Sequence, residues 1–491
     1  MATEYRLEIE SESKTLVLTD FRLLATPHFN ESIRTSQAMV WYKGWLYVGT
    51  GRAPLGFLGR YTASAGRNNS GGLFGSRRQY DAESGGRDED GAQIWRFDPV
   101  TEIWELVYDS PLVTGRDGKL RARDRSIRAS AVYQTEIDPE PALYFGVGSL
   151  EGQVVFLRSI DGVNFEECYE QGFGLPEADI PSVRNICGLN GRLYSTPTGK
   201  NYQRGMLDDN MTDYPVVFET ATPLEGSWRP VSELGFDDTN NLSINELGVF
   251  NKHLYAAMLN SRRGFQLWKT DAAGEPPYRW HKIIEDGAWR GPTSSIPASM
   301  MVFGDALYIG ATLQRQGRNG LDRYGPFPAE MLRVYADDSW DIVCGTPRFT
   351  PHGLKRPITG MEGGFNDRFT HAFWRMTEYA GSLYVGTAGW RWMPTYLWGR
   401  KDLTEAQRHY LQIETAKQVD GEFAIWRTDD GILWEALTQI GFPGANPNTY
   451  GVREIVGTPY GVYVAPTSKQ AARSGGGLEI WWGSPGFGEA N

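Results

Sequence analysis

The chain has 491 residues, a formal net charge of −11 and 58 glycines. Its acidic balance argues against a general nucleic-acid-binding protein, and no apolar run approaches the ~18 residues that a membrane-spanning helix needs. The first residues, MATEYRLEIESESK, lack the apolar core of a secretory signal, so a cytoplasmic protein without a membrane span is expected.

The first predicted element is a single β-strand at residues 14–24, KTLVLTDFRLL. Threonine, valine and phenylalanine, which are common in strands, occur there together with four leucines. No turn signal joins this strand to a neighbour of its own. It is therefore a spare strand, able to complete a sheet elsewhere in the chain.

A hairpin pattern follows at residues 39–52, MVWYKGWLYVGTGR, and recurs along the chain. An apolar run leads into a turn that holds Gly, Asn or Asp, and a second run opens on Leu-Tyr or a close variant. The further copies occupy residues 131–148, 186–199, 247–259, 300–312, 376–388 and 455–467. Repetition of one supersecondary unit at this spacing predicts a repeat architecture.

Each hairpin is followed by signals for two more strands. Third strands carry tags such as IWRF and AIWRT, and most fourth strands open on an aromatic residue. The last unit lacks a fourth strand, which the spare N-terminal strand would supply, so that no sheet edge is left exposed. The sequence therefore predicts an all-β fold, a seven-bladed β-propeller closed by an N-terminal strand in the last blade, as one domain over residues 1–491.

Long insertions fall mostly after second strands or before first strands, which places them on one face of the predicted propeller. The insertion at about residues 389–422 contains a predicted helix at 404–419, which opens on the capping box TEAQ. Before this helix lie four aromatic residues, Trp390, Trp392, Tyr396 and Trp398. They are interpreted either as a plug packed over the ring or as a wall for an apolar ligand.

Polar residues begin the first strand of each blade, where strands surround the mouth of a central channel. Counting back from the Leu-Tyr pair gives Ala38, Ser130, Asn185, Glu246, Ser299, Arg375 and Glu454 at one position. The neighbouring position holds Gln37, Arg184, Asn245, Trp374 and Arg453, with Arg34 and His371 further out. We therefore expect two glutamates and several arginines to meet around one channel mouth.

Two interpretations of this charged group stay open. The carboxylates and arginines could simply neutralise one another in a tight channel. Alternatively, arginines could hold an anion while a glutamate takes a proton from a hydroxyl group. On the second interpretation the candidate catalytic residues are Glu246, Glu454, Arg375, Arg184, Arg34 and His371. The candidate substrate-binding residues are Arg52, Asn185, Trp374, Trp390, Trp392, Tyr396, Trp398 and Arg453.

Other charged and metal-binding patterns add little. A basic run that enters the second blade is interpreted as a solvated loop or as an anion-binding rim, and it comprises Arg116, Lys119, Arg121, Arg123, Arg125 and Arg128. The three cysteines lie in predicted strands, which favours buried thiols over metal ligands. No nucleotide-binding, zinc or serine-hydrolase motif is present, so no cofactor and no metal are predicted.

Two segments resemble a group of bacterial propeller proteins. They are residues 264–289, GFQLWKTDAAGEPPYRWHKIIEDGAW, and residues 46–52, LYVGTGR. The group includes the propeller portion of cylindrocyclophane-forming enzymes, which alkylate a resorcinol carbon with a secondary alkyl chloride. The resemblance implies an arginine and a tyrosine at the chloride and an acidic residue at the phenol. Arg34 and Arg52 flank the first hairpin and are the candidates for that arginine, whereas the family's calcium-binding nonapeptide repeats have no counterpart here.

The sequence thus predicts a small-molecule enzyme of secondary metabolism that works at the looped mouth of the propeller. The reaction expected is carbon–carbon or carbon–oxygen bond formation with an alkyl halide or a similar electrophile. Its partner is expected to be a small substrate that is partly apolar or aromatic. The alternative is a non-catalytic ligand-binding or scaffold propeller, which a merely ion-paired channel would suit equally well.

Overall fold

The computed structural model describes residues 15–27, 29, 31–52, 89–115, 118–149, 153–168, 171–175, 178, 180–199, 211–312, 328–389, 391, 404–406, 408–409, 422–470 and 475–485. Nearly all the regular structure in these ranges is β. No helix among them is long and apolar enough to cross a membrane.

The chain begins with a 3-10 turn at Leu18–Asp20 and strand β1 (Phe21–Leu23), and seven similar units follow. Unit 1 consists of β2 (Ile33–Tyr42), β3 (Trp45–Arg52), β4 (Gln93–Asp98) and β5 (Ile103–Asp109). A small hairpin, β6 (Leu112–Thr114) and β7 (Leu120–Ala122), leads into unit 2. Unit 2 consists of β8 (Asp124–Tyr133), β9 (Ala142–Ser149), β10 (Val155–Ser159) and β11 (Glu166–Glu167).

Units 3 to 5 repeat this pattern. Unit 3 consists of β12 (Ser182–Leu189), β13 (Arg192–Thr198), β14 (Phe218–Thr220) and β15 (Arg229–Pro230). Unit 4 consists of β16 (Asn241–Phe250), β17 (His253–Asn260), β18 (Gln266–Thr270) and β19 (His281–Ile284). Unit 5 consists of β20 (Ile296–Phe303), β21 (Ala306–Thr312), β22 (Met331–Tyr335) and β23 (Trp340–Cys344).

The last two units follow a second small hairpin, β24 (Arg348–Thr350) and β25 (Gly353–Lys355). Unit 6 consists of β26 (Thr370–Tyr379), β27 (Ser382–Gly389), β28 (Ile425–Thr428) and β29 (Glu435–Thr438). Unit 7 has β30 (Thr449–Thr458), β31 (Gly461–Ser468) and β32 (Trp481–Gly483). Helical turns are short: α1 (Asp286–Trp289) and 3-10 turns at Gly172–Gly174, Leu234–Asp237, Gly291–Thr293 and Gly363–Asn366.

Neighbouring strands within each unit pair antiparallel in chain order. Unit 4, for example, has the order β16-β17-β18-β19. The seven hairpins predicted from the sequence are confirmed, since each first strand pairs with the strand that follows it. In unit 7 the fourth position is taken by β1, which pairs with β32 and places Phe21 opposite Gly483.

Strand β1 is shorter than the sequence predicts. The predicted strand began at residue 14, but residues 18–20 form a 3-10 turn and only three residues extend. Asp20 explains the turn, because its carboxylate accepts a hydrogen bond from the Val17 N–H at 2.8 Å. Asp side chains commonly stabilise a local turn in competition with an extended backbone in this way.

The hydrophobic core is divided among the contacts between units. The first strands contact one another in the order of the units, and β30 of unit 7 contacts β2 of unit 1. One buried cluster joins units 2 and 3 through Phe156 and Trp228. Another joins units 7 and 1 through Tyr463, Trp482 and Phe97. The chain therefore has an all-β, propeller-like fold in which the sheets of neighbouring units pack side by side.

Glycine in the second strand allows this close packing. Opposite Gly49 of β3 lies Ile127 of β8, and a Cβ on Gly49 would stand 2.6 Å from the Ile127 Cβ. Gly146 meets Val183 in the same way, and Gly386 meets Val452. In units 2, 3 and 7 a β-branched residue of the first strand thus packs directly on the backbone of the preceding unit.

A methyl group at Gly49 should therefore push units 1 and 2 apart. We expect Gly49→Ala to lower the free energy of unfolding by about 1–3 kcal/mol, which is the usual cost of overpacking a core. Urea unfolding followed by tryptophan fluorescence measures it. The matched control is Gly248→Ala in β16, whose added Cβ meets only the flexible end of Met300 at 3.3 Å. Equal stability of the two variants would contradict the packing argument.

The insertions are only partly described. The two that precede first strands form the hairpins β6–β7 and β24–β25. Within the predicted helix 404–419, Glu405, Ala406, Arg408 and His409 are helical, and the Arg408 N–H donates to the Thr404 carbonyl at 3.0 Å. The remainder of that helix, and most of the long segments after second strands, lie outside the described residues. Their placement on one face stays a prediction.

Candidate functional site

A β-bulge interrupts the first strand of every unit at an equivalent position along the strand. Each register shift inserts an extra residue into the first strand relative to its partner. The residues at these shifts are Gln37, Arg128, Arg184, Asn245, Ala298, Trp374 and Arg453. A bulge breaks the strict alternation of side chains, so two successive residues can serve the same side of a sheet. We call these residues, with the residue that follows each, the bulge ring.

The bulge ring matches the sequence prediction in six units and corrects it in unit 2. There the sequence placed Ser130 at the channel mouth, but Ala129 pairs with Gly146 and Arg128 takes the bulge. The cause is the long turn between β8 and β9, which makes counting back from Leu143-Tyr144 run into the wrong register. Arg128 is buried in β8, so its assignment to a solvated loop was wrong.

The basic run therefore splits between two environments. Arg123 is mostly buried and binds the buried carboxylate of Asp124, with Nε to Oδ1 at 2.8 Å. It also pairs with Glu167 on β11 at 2.8 Å. Lys119 lies in the connection between β6 and β7 and is exposed. Among the described residues of the run, the exposed Lys119 fits the solvated interpretation, whereas Arg116 lies outside the described residues.

Arg375 lies at the centre of the charged group. Its side chain is 16% exposed, and its Nε and Nη1 lie 3.3 Å from Glu454 Oε1 and 3.2 Å from Glu246 Oε1. Nη1 also donates to the backbone carbonyls of Ala298 and Trp374, at 3.0 and 3.1 Å. One guanidinium from unit 6 thus joins carboxylates from units 4 and 7, so strands on different sides of the ring converge there.

Burial shifts the pKa values of charged residues in this group. Burial raises the pKa of the Glu246 carboxyl above its ordinary value, although Arg375 and then Arg184 act against the rise. Burial likewise lowers the pKa of Arg453 well below its ordinary value, and the positive charges of Arg375 and Arg184 lower it further. An arginine stays protonated in proteins, so this direction means that the charge of Arg453 is poorly compensated.

Backbone contacts continue the ring through units 3, 4 and 5. Arg184 Nε and Asn185 Nδ2 both donate to the Asn245 carbonyl, at 3.3 and 2.8 Å. Asn245 Nδ2 in turn donates to the Pro297 carbonyl at 2.6 Å. These hydrogen bonds link the first strands of units 3, 4 and 5 at their bulges. They therefore hold the polar side chains there in fixed positions.

Two buried amides in the ring keep an unused acceptor. Asn245 is 1% exposed, and its Oδ1 has no hydrogen-bond partner among the described residues. The same holds for Oε1 of Gln37, which is 5% exposed. A buried polar atom without a partner costs free energy that folding must recover elsewhere. Such atoms are a common feature of binding sites, where a ligand supplies the missing donor.

Arg34 and His371 lie one step further along the strands. A second register shift occurs at each of them, in β2 and β26. Arg34 Nη1 donates to the Lys469 carbonyl at 3.0 Å. His371 Nε2 lies 3.2 Å from the hydroxyl of Thr312. Both side chains are buried and serve neighbouring strands, and neither has a hydrogen bond or an ion pair with Glu246, Glu454 or Arg375 in the described part of the chain.

Trp374 gives the ring an accessible apolar surface. The Trp374 side chain is half-buried. The guanidinium carbon of Arg453 lies 5.4 Å from the centre of the Trp374 indole. Tyr450 of β30 lies 5.9 Å from the same ring. Arg375 and Asn185 are the other partly exposed candidates that the ring brings together.

The side chains of the remaining candidates lie outside the described residues. They are those of Arg52, which ends β3, and of Trp390, Trp392, Tyr396 and Trp398. Sequence reasoning also passed over Glu422, at the end of the long insertion. That carboxyl is buried, and its Oε2 has no hydrogen-bond partner in the described part of the chain. Its only sequence signal was a lone glutamate beside an apolar strand, GEFAIW.

Comparison with known proteins leaves the function open. No family model and no curated protein matches the chain. It is similar to the solved structure of Kuenenia stuttgartiensis hydrazine synthase, at a TM-score of 0.45 and 12% identity over 94% of this chain and 98% of that one. It is also similar to a puromycin hydrolase mutant, at a TM-score of 0.43 and 12% identity over 91% of this chain and 52% of that one.

A third similar structure is the β-propeller domain of the Trilobed protease from Pyrococcus furiosus, at a TM-score of 0.41. Its identity is 7% over 92% of this chain and 95% of that domain. At such scores and identities these likenesses carry no argument about what this chain does.

Proposed function

We propose that the seven units are the blades of a closed seven-bladed β-propeller and that β1 closes the ring in the last blade. The pairing of β1 with β32 and the core shared by units 7 and 1 support this proposal. A ring closed in this way covers the edge of β32 and leaves only the short strand β1 at the outer edge of the last blade. It also gives the bulge ring one central location.

We infer further that the protein is an enzyme that acts on a small molecule at the bulge ring. The observation that carries this inference is Arg375, a partly exposed guanidinium held between two buried carboxylates. A guanidinium in a fixed position can bind an anion through its forked N–H groups. A neighbouring carboxyl whose pKa is raised, such as Glu246, can accept and return a proton closer to neutral pH.

The specific reaction proposed is alkylation of an aromatic carbon or of an oxygen atom by an alkyl halide, in secondary metabolism. The carbon–halogen bond breaks, and its electron pair leaves on the halide, which Arg375 or Arg184 stabilises. The new carbon–carbon or carbon–oxygen bond forms at the same carbon, and the nucleophile's proton passes to Glu246 or Glu454. The resemblance of residues 264–289 and 46–52 to resorcinol-alkylating proteins is the support for this choice of reaction.

Incubation with resorcinol-type nucleophiles and secondary alkyl halides tests the reaction. We expect a product whose mass equals the sum of both substrates less one hydrogen halide. Glu246→Gln and Glu454→Gln should reduce turnover by ~10²–10⁴-fold, the usual contribution of a proton-transferring side chain. The matched control is Glu435→Gln, because Glu435 is 72% exposed on β29 and should leave turnover unchanged. Equal turnover by all variants would remove both glutamates as bases.

A scaffold propeller is the second candidate, and one observation favours it. Arg375 already donates to two backbone carbonyls and binds both carboxylates, so much of its hydrogen-bonding capacity is used inside the protein. A scaffold would show no turnover and no small-molecule binding at the bulge ring. The cytoplasmic location, the lack of a nucleic-acid partner and the single domain over residues 1–491 stay predictions from the sequence.

A further inference from the structure

We propose that the bulge ring binds a small organic anion that has an aromatic body and a hydrogen-bond donor. This proposal rests on the location proposed above for the site, but it does not depend on the reaction. It names a class of ligand from three separate features of the ring: charge, unused acceptors and an accessible aromatic surface.

The charge of Arg453 calls for an anion. Its side chain is 4% exposed, and its Nη1 lies 3.5 Å from Glu454 Oε1, the same oxygen that Arg375 approaches to 3.3 Å. One carboxylate oxygen therefore serves two guanidinium groups. Arg375, Arg184 and Arg128 all act on Arg453 with like charge. An added carboxylate would compensate this cation through two parallel hydrogen bonds, which is the geometry that arginine favours.

The unused acceptors call for a donor on the same ligand. Oδ1 of Asn245 and Oε1 of Gln37 are buried and unpartnered, and both residues stand at bulges of the ring. Asn245 is linked to the charged group through Arg184, whose Nε lies 3.3 Å from the Asn245 carbonyl oxygen. A ligand hydroxyl that donates to such an amide oxygen would recover the desolvation cost of that buried oxygen.

The aromatic body follows from Trp374. Trp374 is a half-buried aromatic residue of the bulge ring, and its indole lies beside Arg453 and Tyr450. Aromatic groups prefer offset or edge-to-face contacts with such a surface. An anion held by Arg453 would therefore bring an attached ring against Trp374.

Isothermal titration calorimetry at constant ionic strength tests the proposal with four probes: para-hydroxybenzoate, benzoate, phenol and inorganic phosphate. We expect para-hydroxybenzoate to bind at least about tenfold more tightly than benzoate, which lacks the donor, and than phenol, which lacks the anion. Phosphate should bind weakly, because it has no aromatic body. Phenol binding as tightly as para-hydroxybenzoate, or the failure of every probe to bind, would overturn the proposal.

Two variants assign the binding to its atoms. Arg453→Gln should abolish the preference for para-hydroxybenzoate over phenol, and Asn245→Leu should abolish the preference over benzoate. If the glutamine variant does not fold, Arg453→Lys keeps the charge but loses the forked pair of donors, so para-hydroxybenzoate should bind it more weakly than the wild type, and unchanged affinity would contradict the assignment. The control is Arg427→Gln on β28, whose partner Glu435 is exposed, and it should bind like the wild type. Retained preference in Arg453→Gln would contradict the assignment.

The outcomes separate this proposal from the enzymatic one. Anion binding without turnover of any alkyl halide would remove the proposed reaction and leave the ligand class intact. Turnover that is insensitive to para-hydroxybenzoate, with no binding of that probe, would remove the ligand class and leave the reaction intact.

Discussion

Arg375→Met is expected to lower the free energy of unfolding by about 3–5 kcal/mol, the usual cost of removing one member of a buried ion pair. The substitution leaves Glu246 and Glu454 buried, at 8% and 9% side-chain exposure, without the guanidinium that joins them. It also removes the donor to the Ala298 and Trp374 carbonyls. Urea unfolding followed by tryptophan fluorescence and far-ultraviolet circular dichroism measures the loss.

A pair of double variants tests the reason for this loss. In Arg375→Met with Glu246→Gln, Arg453 and Glu454 keep their contact at 3.5 Å. In Arg375→Met with Glu454→Gln, Glu246 loses its ion pair with Arg375 and Arg453 loses its contact with Glu454. We therefore expect the first combination to recover more than half of the lost stability and the second to recover little. Equal recovery would show that charge pairing is not the cause.

The comparison variant for both is Arg427→Met. Arg427 pairs with Glu435 at 2.7 Å, but the carboxylate is 72% exposed. Exposed pairs contribute about 0–1 kcal/mol, because water screens them. A loss near that of Arg375→Met at this position would mean that arginine packing, rather than buried charge, dominates.

The hairpins could be predicted from the sequence because their signals are local. Each one needs only a turn residue and two apolar runs, as in LYVGTGR of β3, and these signals do not depend on the rest of the chain. The pairing of β1 with β32 was also accessible, because a spare strand and an incomplete sheet stand at opposite ends of the sequence.

The bulges could not be predicted, because they are set by packing between units. Val452 packs on Gly386 of the neighbouring unit, and the next residue, Arg453, then takes the extra position. Nothing local in the sequence marks that register. The consequence was small where hairpins have short turns, but in unit 2 the long turn hid Arg128. Ion pairing between the glutamates and arginines of the ring was predicted as one of two interpretations, but the specific pair of Arg375 with Glu246 was not.

Glu422→Gln is expected to remove a pH dependence of stability that the buried carboxyl causes. Burial raises the pKa of Glu422 to about 8, although the Arg391 backbone N–H, the Arg391 side chain and Lys469 lower it, and Asp367 adds to the rise. Its Oε1 accepts the Arg391 N–H at 2.6 Å, and its Oε2 has no partner. The folded protein therefore favours the protonated carboxyl.

The sign of the effect follows from proton linkage. An unfolded glutamate ionises near its ordinary pKa, whereas the folded group keeps its proton until about pH 8. Between these values the folded state binds the extra proton, so stability is full at low pH and falls by about 1.4 kcal/mol for each pH unit as pH rises. Glutamine mimics the neutral acid and cannot ionise, so the variant should become more stable than the wild type as pH approaches and passes 8.

Difference curves isolate Glu422 from the other groups that titrate in the same window. Urea unfolding at several pH values from weakly acidic to alkaline, for wild type and Glu422→Gln, should give a stability difference that grows with pH and levels off above about pH 8. Glu435→Gln, at an exposed position, should give a flat difference. A variant that is less stable at every pH would instead show that Glu422 is ionised and paired with Arg391, which lies 3.8 Å away. We do not expect this outcome. The attraction of Arg391 at 3.8 Å is too weak to offset the cost of burying an ionised carboxylate whose Oε2 has no hydrogen-bond partner among the described residues.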